Sequence, residues 1–301
     1  MAVDKIVDCS LLYMYCDPAV SKTCFDFHEF QVMAITTFSG VLKRLNPPKG
    51  EEWRVLGAAC KESPEAMFAE MDETGVEFGI MPAIWVWSQR DHKLMIEHKN
   101  NKVFDVVKKS EGRIIGGASY NPFRIKESLE AIDIAVKEYG FQYVWFHPIS
   151  FGMAPNDRRC YPLYTKCMEL GIPVGMQVGH SAEPLTSEPG HPMYADDVAI
   201  EMPDLKIILT HTGWPWIDEW CSMIWRHPNV YGMCNAYMPS GFYPATFQFM
   251  DSPRGRDKVM MGSHAYGMTR WVKECNEMPI SDKAKQKVLY DNPVKLFNLK
   301  R

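Results

Sequence analysis

The stretch LKIILT, residues 205–210, runs straight into His211. Four of its six residues are Leu or Ile, with no alternation of polar and apolar positions. Such a run suits a strand covered on both faces, as in a parallel sheet flanked by helices. Outward from it the same unit recurs. Residues 5–9 (KIVDC), 77–81 (EFGIM), 113–118 (RIIGGA), 143–146 (YVWF) and 173–178 (PVGMQV) read as strands one to five. Residues 230–234 (VYGMC) and 258–261 (KVMM) read as strands seven and eight. Between them, helical spacing marks residues 63–74, 100–109, 125–138, 157–170, 195–201, 215–226 and 243–250, with closing helices at 281–290 and 293–299. Ser63 suits a helix N-cap, Gly171 a C-cap, and Pro215 an early helical position. Eight strands alternating with helices predict an α/β fold, a (β/α)8 TIM barrel spanning residues 1–301 as one domain. An open doubly wound sheet ranks second, and no GxGxxG follows the first strand to support its dinucleotide-binding form.

Two connections are longer than a barrel needs, at residues 10–61 and 82–98. Both leave strands at their C-terminal ends, where barrel sites form, so they predict lids or pocket walls. Trp85 and Trp87 in the second suggest an aromatic wall.

The chain has 301 residues, 46% hydrophobic and 23% charged, with a net charge of -4. That balance carries no basic excess for nucleic acid. No apolar run is long enough to span a membrane. The N-terminus has Asp and Lys where a secretory leader would be apolar. Nine cysteines are scattered without a CxxC pair, which predicts reduced thiols and a cytoplasmic protein.

The strand ends carry the polar residues. Strand one ends in Asp8, Cys9 and Ser10, and strand four in His147. Gln177 and His180 belong to strand five, His211 to strand six, Asn235 and Tyr237 to strand seven, and His264 and Tyr266 to strand eight. Four of nine histidines thus fall just after four strands. Neutral imidazoles gathered at one mouth could serve as acid and base near neutral pH, or bind a transition metal. His227, at a helix-to-strand turn, falls on the opposite face and reads as structural.

The segment PDLKIILTHTGWPW (203–216) resembles the sixth-strand motif of the amidohydrolase superfamily, in the group that includes aminocarboxymuconate-semialdehyde decarboxylase. GIPVGMQVGH (171–180), FQYVWFHP (141–148), KVMMGSHAYG (258–267) and the closing VLYDNPVKLFNL (288–299) are similar to the fifth, fourth, eighth and last units, and residues 101–122 to the third. The resemblance implies a hydrolase or decarboxylase (lyase) acting on a small carboxylated or aromatic substrate, and a homo-oligomer.

It also implies a metal site, and the residues here depart from it. The family's His-x-His at strand one reads Ser10 and Leu12, its strand-five His is Gln177, and its strand-eight Asp is His264; His211 survives. Ser and Gln are poor zinc ligands, and Leu is none. Three readings follow. In the first, the enzyme needs no cofactor: His211, His264 and His180 are catalytic, while Ser10, His147, Gln177, Tyr266, Trp85 and Trp214 hold the substrate. In the second, a divalent metal such as zinc sits in a rebuilt site of His147, His180, His211, His264 and Asp8. In the third, the barrel binds a small molecule without catalysis.

Overall fold

A computed structural model describes residues 3–264 and 266–300. Eight parallel strands form one sheet in chain order: β1 (Ile6–Asp8), β2 (Val76–Pro82), β3 (Ile114–Ala118), β4 (Tyr143–Phe146), β5 (Val174–Gln177), β6 (Ile207–Thr210), β7 (Val230–Cys234) and β8 (Val259–Met261). The last strand returns to the first. The Cys9 amide donates to the Met261 carbonyl at 3.0 Å, and Leu11 bridges His264 in parallel register. Asp8 Oδ1 accepts from the amides of both Ser10 and Ser263, at 3.0 and 2.9 Å, and so ties the closing pair together.

Side chains alternate along each strand, as the pleat requires. Val7, Phe78, Ile80, Ile115, Tyr143, Trp145, Ile208, Met233 and Met260 gather in one buried cluster, which also takes in Met14, Phe27, Phe30 and Met33 from the first long connection. Their neighbours Ile6, Met81, Val144, Phe146, Met176, Leu209 and Met261 belong to the other, shared with the helices. Gly175 serves the inner layer: a Cβ there would lie 1.8 Å from the Tyr143 hydroxyl, so only glycine leaves room for that ring.

Most helices fall where the spacing puts them. Ser63 Oγ caps Pro64–Thr74 by accepting from the Ala66 amide, and Gly171 closes Tyr161–Leu170 at φ 68°. Some boundaries move. The helix expected over 157–170 starts at Tyr161, because Asp157 is drawn into a local turn with Arg159. The one expected from Pro215 starts at Ile217, and Pro215 follows Trp214 through a cis peptide bond. The closing helices become Asp282–Gln286 and Asn292–Leu296, joined by a π-helical turn, Lys287–Asp291. A further helix, Met268–Asn276, follows the last strand. No helix among the described residues is long and apolar enough to cross a membrane.

Both long connections are built structures. The first carries helices Pro18–Cys24, His28–Ile35 and Ser39–Leu45. The second is a hairpin of Trp85–Ser88 against Lys93–Glu97.

Candidate active site

A cavity of about 440 Å³ opens at the C-terminal ends of the strands. Its floor carries Trp145, His147, Gln177, His211 and His264; Leu12, Tyr15, Met33, Phe38 and Leu56 of the first connection and Ile84, Val86 and Ile96 of the second close over it. Tyr237 and Tyr266 line it too. Among the described lining residues none is Lys or Arg.

The backbone at the strand ends is strained where it presents these groups. His211, Thr212, Ala236 and His264 have φ of 71°, 62°, 64° and 58°. Left-handed backbone is uncommon outside glycine and gathers at functional sites.

His211 and His264 face each other with ring centroids 4.9 Å apart, edge to face. Their hydrogen bonds fix a different tautomer on each. The Thr210 hydroxyl donates to the Met176 carbonyl at 3.3 Å. Its oxygen therefore accepts from His211 Nδ1–H, at 3.0 Å. That leaves His211 Nε2 as an unprotonated lone pair. Asn235 decides the other ring. Its Oδ1 accepts from the His211 amide at 2.9 Å, so its Nδ2 must face Ser10 Oγ at 2.9 Å and His264 Nδ1 at 3.4 Å. Ser10, its oxygen occupied by that amide, donates to His264 Nδ1 at 3.2 Å. His264 Nδ1 is an acceptor twice over, and its proton sits on Nε2. A base nitrogen and a donor N–H thus stand side by side.

Both rings are neutral at physiological pH. Burial lowers His264 to about 4. It holds His211 well below the ordinary value, helped by the fields of His264 and His147. His147 is lowered to about 3 by burial, and its Nδ1 accepts from the Ser150 amide at 3.1 Å. Its Nε2–H then points to Ser181 Oγ, 3.3 Å away.

The other expected site residues divide. Trp214 and Tyr266 line the cavity, as Gln177 does. Ser10 stands behind His264 and positions it. His180 also lines the cavity, but its ring is wedged edge-on between Trp214 and Trp216, at 5.1 and 5.3 Å, away from the His211–His264 pair. Trp85 does not line it. On the hairpin, Val86 turns inward, so by the two-residue period Trp85 and Trp87 turn away. Trp87 stacks on Phe151 and meets Phe123 edge-on instead. Asn235 stands at the end of strand seven as the sequence has it, whereas Thr210, Ser181 and Glu183 carry no signal of their own beyond lying within a few residues of a strand end.

The metal implied by the resemblance does not fit these donors. Leu12 lines the cavity where a ligand is required, and Ser10 and the Nδ1 atoms of both histidines are committed to hydrogen bonds. Asp8 is fully buried in the β1–β8 seam and does not line the cavity. Among the described residues no three His, Cys, Asp or Glu side chains gather as a metal site.

Eight parallel strands with an imidazole pair at their C-terminal mouth define a TIM-barrel enzyme of the amidohydrolase type. The family model described as Amidohydrolase matches residues 61–299, and the chain belongs to that family. No curated protein matches the sequence. Among solved structures, an uncharacterized TIM-barrel protein from Bordetella bronchiseptica superposes with a TM-score of 0.73 at 23% identity, over 98% of this chain and 99% of that one. A dihydroxybenzoic acid decarboxylase from Polaromonas, with bound manganese and the inhibitor 2-nitroresorcinol, gives 0.63 at 16%, over 86% and 93%. A probable 2-pyrone-4,6-dicarboxylic acid hydrolase from Acinetobacter baumannii, with citric acid bound, gives 0.57 at 13%, over 79% and 90%. These likenesses establish the shared fold.

Proposed function

We propose that the chain is a metal-independent hydrolase of small planar aromatic compounds, with His211 as the acid–base residue and His264 as the donor to the carbonyl oxygen. The edge-to-face placement of the two buried rings, 4.9 Å apart on the cavity floor, is the observation that carries this reading. A substrate ring lies against Trp145 and Trp214, and its ester, lactone or amide carbonyl faces the pair. His211 Nε2 removes a proton from water as the oxygen attacks the carbonyl carbon. His264 Nε2–H donates a hydrogen bond to the carbonyl oxygen as charge builds there, and the proton that His211 took from water passes to the leaving group as its bond to carbon breaks. Both rings end as they began, with water consumed and the acid and the leaving group released. Each partner supplies on the order of 10²–10⁴ in rate.

The test is turnover on a panel of aryl esters and aromatic lactones. His211→Ala and His264→Ala should each lower kcat at least about 100-fold. Dialysis against EDTA should leave wild-type turnover unchanged. Full activity in His211→Ala overturns the roles assigned to the pair. Loss of activity with EDTA and recovery with manganese overturns the metal-independent reading.

A second reading is decarboxylation, favoured by the dihydroxybenzoic acid decarboxylase of the same fold. There His264 would protonate the ring carbon as carbon dioxide departs. Carbon dioxide released from 2,6-dihydroxybenzoate, with no ester or lactone cleaved, would select it.

A further inference from the structure

The cavity wall holds one further chain of hydrogen bonds, running away from the histidine pair. Gln177 Nε2 donates to Ser181 Oγ at 3.5 Å, and His147 Nε2–H reaches the same oxygen at 3.3 Å. Ser181 in turn donates to Glu183 Oε2 at 2.5 Å. Every proton in this chain points toward Glu183. Because His147 is fixed as a donor by the Ser150 amide, the direction cannot reverse while the fold is intact. Among the described residues, Ser181 is the only other side chain that donates to Glu183.

Glu183 sits where the loop after β5 meets the first long connection. The Thr37 hydroxyl donates to the neighbouring Ala182 carbonyl at 3.3 Å. Glu183 is the only carboxylate on the cavity wall among the described residues, and no Lys or Arg lines that wall to neutralise it. Burial raises its carboxyl, and the field of Glu29 raises it further. Two acidic side chains therefore bear on this end of the cavity, and Glu183 lines the space that a ligand can occupy. An acceptor buried by a ligand that offers no proton loses its hydration without replacement. Sites built around such a group reject the analogue that cannot pair with it.

We propose that Glu183, held as an acceptor by Ser181, is a specificity residue that selects aromatic substrates bearing an N–H or O–H donor, neutral or cationic, and turns away carboxylates. The inference rests on the reading of this cavity as the substrate site, and it names the substrate class. It argues against a substrate carboxylate as the anchoring group, because benzoate-like anions would set acceptor against acceptor in a wall without a cation.

The test uses two probes of equal shape and opposite polarity. Benzamidinium is a planar fork of N–H donors, and benzoate is its anionic acceptor counterpart. Binding of each to the whole chain is read at pH 8 by calorimetry and by tryptophan fluorescence, to which Trp145 and Trp214 report. Benzamidinium should bind at least tenfold more tightly. Glu183→Gln should erase most of that preference, and Ser181→Ala should narrow it. Unchanged near-ultraviolet circular dichroism would show that either variant has kept its fold. Glu183→Asp, which keeps the charge, should retain part of the preference even if Glu183→Gln folds poorly. Benzoate binding as tightly as benzamidinium, neither probe binding at millimolar concentration, or a preference untouched in Glu183→Gln would each overturn the proposal. The acid–base reading fails separately: His211→Ala should leave the probe preference intact while removing turnover.

Discussion

At the scale of the residue, Asn235 organises the site. It is 1% exposed, and its amide reaches the His211 backbone with one end and Ser10 and His264 with the other. A single side chain therefore sets both where His211 sits and which nitrogen of His264 carries the proton. Asn235→Asp keeps the size and removes the donor. A carboxylate beside His264 Nδ1 favours the imidazolium, so His264 should move up from its value of about 4 toward neutrality. Nuclear magnetic resonance of its ring protons across pH would report the change, and kcat should fall by about 10–100-fold. An unshifted His264 in that variant would mean that the tautomer is set elsewhere. The histidines were legible in the sequence because they directly follow strands. Asn235 stands at the end of strand seven with no role legible in the sequence, since only the folded barrel brings it beside Ser10, 225 positions away.

At the scale of the element, the barrel strands were legible because each is a short apolar run with a helix on either side. The interior of the two long connections was not. Their helices and hairpin are short and half-covered; Met268–Asn276, outside both connections, does carry helical spacing, with Met268, Trp271, Val272 and Cys275 buried along one face. The hairpin shows what period alone would have told. Trp85 and Trp87 share one face and Val86 the other, and the cavity takes the valine. Val86→Ala should therefore raise KM for an aromatic substrate by severalfold with little change in stability. Trp87→Ala should cost about 2 kcal/mol, through the lost contacts to Phe123 and Phe151, and leave KM nearly unchanged. Steady-state kinetics and urea unfolding of the two variants separate these effects, and the reverse pattern would mean that the tryptophan face is the one that meets substrate. The strained strand ends allow a complementary check. Ala236 holds φ at 64°, so Ala236→Gly should stabilise the fold by roughly 1 kcal/mol, whereas glycine in an ordinary loop position would weaken it.

At the scale of the whole molecule, the barrel buries three neutral imidazoles at its mouth and two raised carboxyls, Glu183 on the cavity wall and Asp8 in the β1–β8 seam, and their responses to acid oppose each other. His147, His211 and His264 have native values below 6.5. Above that pH neither the folded nor the unfolded chain protonates them, so they contribute nothing. As pH falls below it, the unfolded chain takes up protons that the native barrel refuses, and stability declines until the native values are reached. For His264 alone the drop to about 4 corresponds to about 3 kcal/mol. Asp8 behaves in the opposite sense. Burial raises its carboxyl from 3.8 to about 6, so the native state binds its proton first. That contribution is present at low pH and is lost as pH rises through about 6. The three imidazoles outweigh the raised carboxyls, so Tm should fall steadily from pH 6.5 to 4. Asp8→Asn removes one compensating proton uptake and leaves that of Glu183, so its Tm should fall more steeply than the wild type's over the same range. Thermal unfolding at a series of pH values measures both slopes. Parallel slopes would show that Asp8 is already ionised throughout, and a flat wild-type profile would show that the three imidazoles titrate in the native state as they do in water.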